Sequence, residues 1–204
     1  MSFDTEARSW DLDPKKTERA KAFAKEILEF IQFPPGAKAM EFGCGTGILS
    51  FQLKSSISEI TLVDTSEGML EVLEEKIQAS KLAHFHPLLV NLLEEPLPNA
   101  RFDAIYTLMT MHHIRDIRSI LDVFHQLLKP GAYFCMADLV KEDGSFHNDP
   151  NFDGHNGFKH DELARLLQNA GFEEVKYKVF YEIKREKEGK QEIYPLFMLI
   201  ARKM

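Results

Sequence analysis

The sequence predicts an α/β fold: a seven-stranded, mostly parallel sheet with helices on both faces and an antiparallel last strand. Three observations carry that expectation. Short apolar runs alternate with helix-period stretches from residue 38 to residue 139. A glycine turn, Gly43-Cys44-Gly45-Thr46-Gly47, stands between the first such run and the helical pattern that follows it. The C-terminal part holds two strand-like runs with no helix between them, and such neighbours must pair antiparallel.

The elements follow in order. Asp13-Pro14 supplies an oxygen-bearing cap and the residue preferred at the first helical position. The apolar positions Ala20, Phe23, Ala24, Ile27 and Ile31 then trace one face of a helix. Phe33-Pro34-Pro35-Gly36 ends it, because proline lacks the N–H that a continuing helix needs. Strands are expected over 38–42, 59–64, 84–90, 102–108 and 132–139, with helices from 48, over 67–79, and through Ile117, Ile120, Leu121, Phe124 and Leu128. Lys129-Pro130-Gly131 separates that last helix from the fifth strand. A helix with Leu163, Leu166, Leu167 and Ala170 stops at Gly171, and the closing strands run over 172–183 and 196–202, joined through Gly189. Pro195 is expected at the entry to the final strand, since it cannot donate to a central ladder.

A chain of 204 residues with 44% hydrophobic and 28% charged residues has the size and balance of one globular domain, spanning 1–204. Within it, 1–35 reads as an N-terminal helical segment over the active site, 36–140 as the binding core, 141–160 as a substrate-side loop, and 161–204 as the helix and hairpin. The net charge of -7, with no basic cluster interleaved by aromatics, argues against duplex nucleic acid or an anionic membrane as partner. The most basic stretch, Lys184 to Lys190, alternates its charges and reads as a solvated hairpin tip. Cys44 and Cys135 are far apart and read as buried spectators. The polar N-terminus and the lack of a long apolar run suggest a cytoplasmic protein. The oligomeric state is left open.

The place of the glycine turn matters more than its composition. Open α/β sheets bind ligands at the carboxyl ends of their strands, where glycines let the backbone come close and a helix start offers free N–H groups. The glycines fall at 43, 45 and 47, whereas a dinucleotide fingerprint wants the third at 48, which is Ile48. A pyrophosphate clamp is therefore disfavoured. Asp64 ends the second strand, at the distance where a carboxylate accepts from ribose hydroxyls.

These residues, together with Val63-Asp64-Thr65-Ser66-Glu67-Gly68-Met69, Phe102-Asp103-Ala104-Ile105, Met111-His112-His113-Ile114, Leu127-Leu128-Lys129-Pro130-Gly131 and Ala170-Gly171-Phe172, stand in an order and spacing that resemble one family. The chain resembles the class I S-adenosylmethionine-dependent methyltransferases, whose fold is Rossmann-like, and within them the ubiquinone and menaquinone C-methyltransferase group. The resemblance implies that Glu41 orients the glycine loop, that Gly43, Cys44 and Gly45 pass along the methionine part of S-adenosylmethionine, and that Asp64 holds the ribose. It places Thr65 and Met69 at the adenine, with Asn91 and Leu92 where the family usually has an aspartate, and Leu108 beneath the methionine part. Asn91 keeps an acceptor through its amide oxygen. Arg19 resembles a family arginine near the cofactor, suited to a carboxylate.

Methyl transfer to an acidic carbon, phenol or amine needs a base, and histidine suits that near neutral pH. The candidates are His113, His112 and His155, in that order. The competing reading makes one of the paired histidines a strand-end cap and the other exposed. His147, Asp149, Asp153 and His155 are close in sequence but match no zinc spacing, so a polar loop or lid is expected and no metal. The resemblance sets His155-Asn156-Gly157-Phe158 beside the acceptor, with Phe3, Trp10 and Phe152 as candidate lining. The functional expectation is methylation of a small-molecule acceptor, with S-adenosylhomocysteine as product. The alternatives are a protein that binds that cofactor or its product without turnover, and a nicotinamide-dependent oxidoreductase.

Overall fold

Residues 3–95, 101–187 and 189–204 are described by the computed structural model. Seven strands form one sheet in the order β3-β2-β1-β4-β5-β7-β6. They are β1 (Lys38–Phe42), β2 (Glu59–Asp64), β3 (Phe85–Leu89), β4 (Phe102–Leu108), β5 (Leu128–Leu139), β6 (Phe172–Lys187) and β7 (Lys190–Lys203). The first five are parallel, and β7 runs antiparallel to both β5 and β6. The order reverses between β1 and β4, so the carboxyl ends of β1, β2, β4 and β5 open on one crevice.

The period-2 pattern of each strand divides the core between two faces. Met40, Phe42, Ile105, Phe134 and Met136 face one side, where they meet α5 (Ile117–Leu127) and α6 (His160–Asn169). Ala39, Ala104, Tyr106, Cys135 and Ala137 face the other, against α2 (Pro14–Phe30), α3 (Ile48–Leu53) and α4 (Glu67–Ser80). Burying a side chain such as Phe23, Leu73 or Phe124 completely is worth about 1.5–3 kcal/mol each. Both cysteines are free and buried. Among the described residues no helix is long and apolar enough to cross a membrane.

The helix starts obey their local signals. Asp13 accepts from the Lys15 N–H with Pro14 in the first turn, Ser66 accepts from Met69 N–H, and Asp116 from Ser119 N–H. One expectation needs correction, and one element adds to those expected. A separate helix, α1 (Phe3–Trp10), precedes α2 and packs on α4. Pro195 lies inside β7, not at its start. Its carbonyl accepts from Val140 N–H on the β5 side. The missing N–H of Pro195 lies on the same side, one position past the last pair Leu139↔Leu196, so only a bond at the very end of that ladder is lost. The basic hairpin tip is exposed at Lys184, Arg185 and Glu186, as expected, and Arg185 also reaches inward: its Nη1 donates to Phe146 O and its guanidinium lies 3.8 Å over the Phe146 ring. Glu188 of that stretch lies outside the described residues.

Candidate functional site

The chain leaves β1 through three glycines that all adopt positive φ, 66° at Gly43, 51° at Gly45 and 78° at Gly47. A side chain there would be strained, and at Gly43 it would also collide: a Cβ would sit 2.2 Å from Thr110 Cγ2. Gly45 differs, because the first atom its Cβ would meet is Met69 Sδ at 3.8 Å. Its backbone is therefore covered by side chains alone, those of Met69 and Trp10. Gly43 and Cys44 both donate to Val63 O, which ties the turn to β2.

Asp64 is fixed by three backbone donors, with Oδ2 accepting from Gly45 N–H at 2.7 Å and Oδ1 from Thr65 and Ser66 N–H at 2.8 and 2.9 Å. A carboxylate has about four lone-pair positions, so roughly one is left for a ligand hydroxyl. Holding two ribose hydroxyls would require Gly45 N–H to let go. Glu41 is buried, and Oε2 accepts from Ser50 N–H and Ser50 Oγ–H, with Tyr106 OH 2.7 Å from the same Oγ. Glu41 thus grips the first turn of α3 rather than the amides of the glycine loop. Burial pushes its carboxyl up to about 8.

Around the end of β2, Thr65 is exposed, Met69 and Leu92 are buried, and Asn91 Oδ1 already accepts from Leu93 N–H. Leu108 is half-buried at the end of β4. Arg19 on α2 has a buried Nε with no hydrogen-bond partner, and burial lowers the pKa of its guanidinium. The α1 segment covers this region. Asp4 accepts from Ser66 Oγ–H and Gly68 N–H, Asp11 accepts from Thr46 Oγ1–H, and Trp10 Nε1 comes near Gly45.

Across the crevice, β4 gives way to Met109, at φ 57° despite its side chain, and then to a 3-10 turn, Met111–His113. His112 is buried, and its Nδ1 lies 2.6 Å from Oδ1 of Asp138, near the end of β5. Asp138 is itself fully buried and also accepts from the N–H groups of His112 and Leu139. That partner leaves Nε2 as the free nitrogen of His112. The ring of His113 meets Phe3 and Phe152 edge-on, and burial, then the nearby rings of His112 and His147, push it down to about 4. His155 is occupied otherwise: its backbone N–H donates to His112 O, and its Nε2 reaches Ile114 O at 2.9 Å. It latches the loop to the histidine turn.

The tertiary structure thus gathers His112 and His113, brings His147 to them, and leaves Asp149 and Asp153 on other partners, Asn151 N–H and Arg115. His112 moves ahead of His113 as the equipped histidine, because only His112 has a buried carboxylate behind it. Sequence reasoning missed Asp138 and the part played by His147. An acid in the otherwise apolar run Phe134-Cys135-Met136-Ala137-Asp138-Leu139 was the available signal for Asp138. His147 stood out only beside Asp149, Asp153 and His155, and nothing local joined it to His112 and His113.

The chain matches a methyltransferase-domain family over residues 16–177. It is 30% identical over 151 residues to an uncharacterized methyltransferase of Schizosaccharomyces pombe, covering 66% of this chain and 53% of that protein. It is 29% identical over 118 residues to a demethylmenaquinone methyltransferase of Bacillus cereus, covering 56% of this chain and 50% of that one. The chain therefore spans about half the length of these relatives. A SAM-dependent methyltransferase from Aquifex aeolicus has the same fold, with a TM-score of 0.70 at 22% identity over 94% of this chain and 99% of that one. The chain belongs to the class I S-adenosylmethionine-dependent methyltransferase family and resembles its menaquinone group.

Proposed function

We propose that this family member transfers a methyl group from S-adenosylmethionine to a small-molecule acceptor, releasing S-adenosylhomocysteine, where the glycine turn meets the histidine corner. The observation that carries the reading is the contact of Thr110 with Gly43, which sets the cofactor cradle against the turn that holds His112. When bound, S-adenosylmethionine supplies a methyl group made electrophilic by a positively charged sulfur. The Gly45 backbone, covered only by the Met69 and Trp10 side chains, and the unpartnered Nε of Arg19 are what such a molecule needs, a surface for close approach once α1 lifts and a cation for its carboxylate.

Gly43, Cys44 and Gly45 would line the methionine part with Leu108 beneath, Asp64 would take a ribose hydroxyl, and Thr65, Met69, Asn91 and Leu92 would border the adenine. Glu41 positions this cradle through Ser50. Because Trp10 and Asp11 stand over the turn, cofactor entry requires α1 to lift. The His112–Asp138 pair is the activating group for the acceptor, Asp138 fixing the ring so that Nε2 faces outward from the pair. The remaining requirement is proximity and exclusion of water, for which the loop from 141 to 160, with Phe152, supplies the wall.

Calorimetry tests the reading with S-adenosylmethionine and a nicotinamide dinucleotide on the wild type and Asp64→Ala. The expected result is binding of the sulfonium cofactor alone, weakened by about 1.5–3 kcal/mol in the variant as a charged acceptor is lost. Binding of the dinucleotide in its place would overturn it. Product formation with a panel of phenols, amines, thiols and quinols then identifies the acceptor, and binding without turnover on the whole panel would favour a non-catalytic binding role.

A further inference from the structure

We propose that His112, His113 and His147 together hold one divalent transition-metal ion of the zinc class, on the acceptor side of the crevice. The three residues each offer one ring nitrogen, and these nitrogens all lie within 4.8 Å of one another. Their ring centroids are 4.2, 5.1 and 5.3 Å apart, yet among the described residues no hydrogen bond links the rings. Three ring nitrogens converge without bonding to one another.

Two further features point to a ligand. His147 Nε2 is buried with no hydrogen-bond partner, while its ring is stacked on Phe152 at 3.7 Å with an interplanar angle of 15°. The nitrogen is thus held in place with nothing to bind. His112 carries the outer partner that metal-binding imidazoles show, a carboxylate on the opposite ring nitrogen, here Asp138 Oδ1 at 2.6 Å. That arrangement fixes the tautomer with Nε2 as the donor. Tetrahedral coordination at about 2.0–2.1 Å requires ligand nitrogens about 3.4 Å apart, so the three must close by roughly 1.4 Å at most. His147 lies on the loop after β5, outside helix and strand, so the closure is assigned to it, its ring sliding along Phe152.

Three neutral imidazoles leave a fourth position on the ion, the arrangement of metal sites that bind water or substrate. The chemistry favours an acceptor with an oxygen or sulfur that ligates metals, such as a phenol, quinol or thiol, which loses its proton to solvent on binding. This rests on the proposed methyltransferase reading and deepens it: the His112–Asp138 pair would activate the acceptor through the ion rather than by taking the proton itself.

The test uses the full chain, freed of any affinity tag and stripped with a chelator, then titrated with Co2+ followed by its visible absorption, and with Zn2+ by calorimetry. One equivalent should bind, with at least a 100-fold loss of affinity in His147→Ala and a 10–100-fold loss in Asp138→Asn. Circular dichroism keeps the fold of each variant in view, and His147→Ala removes a part-exposed loop residue, so it should fold even where a His112 variant does not. A wild type that binds S-adenosylmethionine but neither metal overturns this proposal alone, as does metal binding that His147→Ala leaves unchanged. A wild type that binds metal at this site but no S-adenosylmethionine overturns the functional reading and leaves the metal site standing.

Discussion

The two walls of the crevice are built differently. The wall at the ends of β1 and β2 is made of backbone: three left-handed glycines, and a carboxylate, Asp64, already bonded to three N–H groups. The wall at the ends of β4 and β5 is made of side chains, with His112, Asp138 and His147 drawn from a 3-10 turn, a strand and a loop. The first wall is internally satisfied and rigid before any ligand arrives. The second leaves ring nitrogens without partners, and a loop rather than a strand carries one of them. On the proposed function, the first wall would meet the cofactor and the second the acceptor.

The largest effect that would sharpen this contrast belongs to Glu41. The folded protein binds its proton up to about pH 8 and the unfolded chain only to about 4.5, so the native state holds more protons between these values and stability falls as pH rises through them. Glu41→Gln keeps a hydrogen-bonding neutral group and removes that slope. The variant should gain about 4 kcal/mol on the wild type between pH 4.5 and 8.5, read from urea midpoints at each pH. A wild-type stability that stays flat over this window would show that the carboxylate is solvated and the cradle less rigid than described.

Next comes a pair of alanine substitutions, one on each wall. Gly43→Ala adds positive-φ strain and a 2.2 Å collision with Thr110, and should cost about 3 kcal/mol and most cofactor affinity, with Thr110→Ser giving part of it back. At Gly154 an added Cβ would meet His112 O at 2.2 Å, but φ there is not positive and the segment is a loop. Gly154→Ala should cost only about 1–2 kcal/mol, leave S-adenosylmethionine binding intact and lower turnover. Equal loss of cofactor affinity in both would mean that the two walls are one unit.

The smallest effect concerns the cover. Asp4 accepts from Gly68 N–H at the start of α4 and from Ser66 Oγ–H, so Asp4→Ala should loosen α1 by about 1 kcal/mol. Limited proteolysis near Trp10 should then speed up, and the association rate of S-adenosylmethionine should rise. An unchanged rate would indicate that α1 does not gate the crevice.

Much of the first wall was legible because its signals are local. Gly43, Gly45 and Gly47 announce a turn by their own conformational freedom, Asp64 by its place at the end of an apolar run, and Asp13 by the proline after it. The second wall was only half legible. His112 and His113 were visible as a pair, but their ranking depended on Asp138, which lies 26 positions further along the chain. His155, a candidate base in the sequence, is a latch because its Nε2 is taken by Ile114 and Arg115 carbonyls. The N-terminal segment was expected to be helical and to lie over the site, but α1 was not resolved as a separate helix because its single buried residue, Ala7, gives no apolar stripe.

The sequence by itself determined the sheet, its reversed hairpin, the family and the glycine turn, since hydrophobic period and glycine stereochemistry act over a few residues at a time. Tertiary structure alone decided which histidine carries an acid behind it, that His147 joins the other two, and that Pro195 fits inside a strand. Each of these depends on which segments meet across the fold and on where a neighbouring strand happens to end. Distances in space between residues far apart in the chain set the outcome, and no local pattern records them.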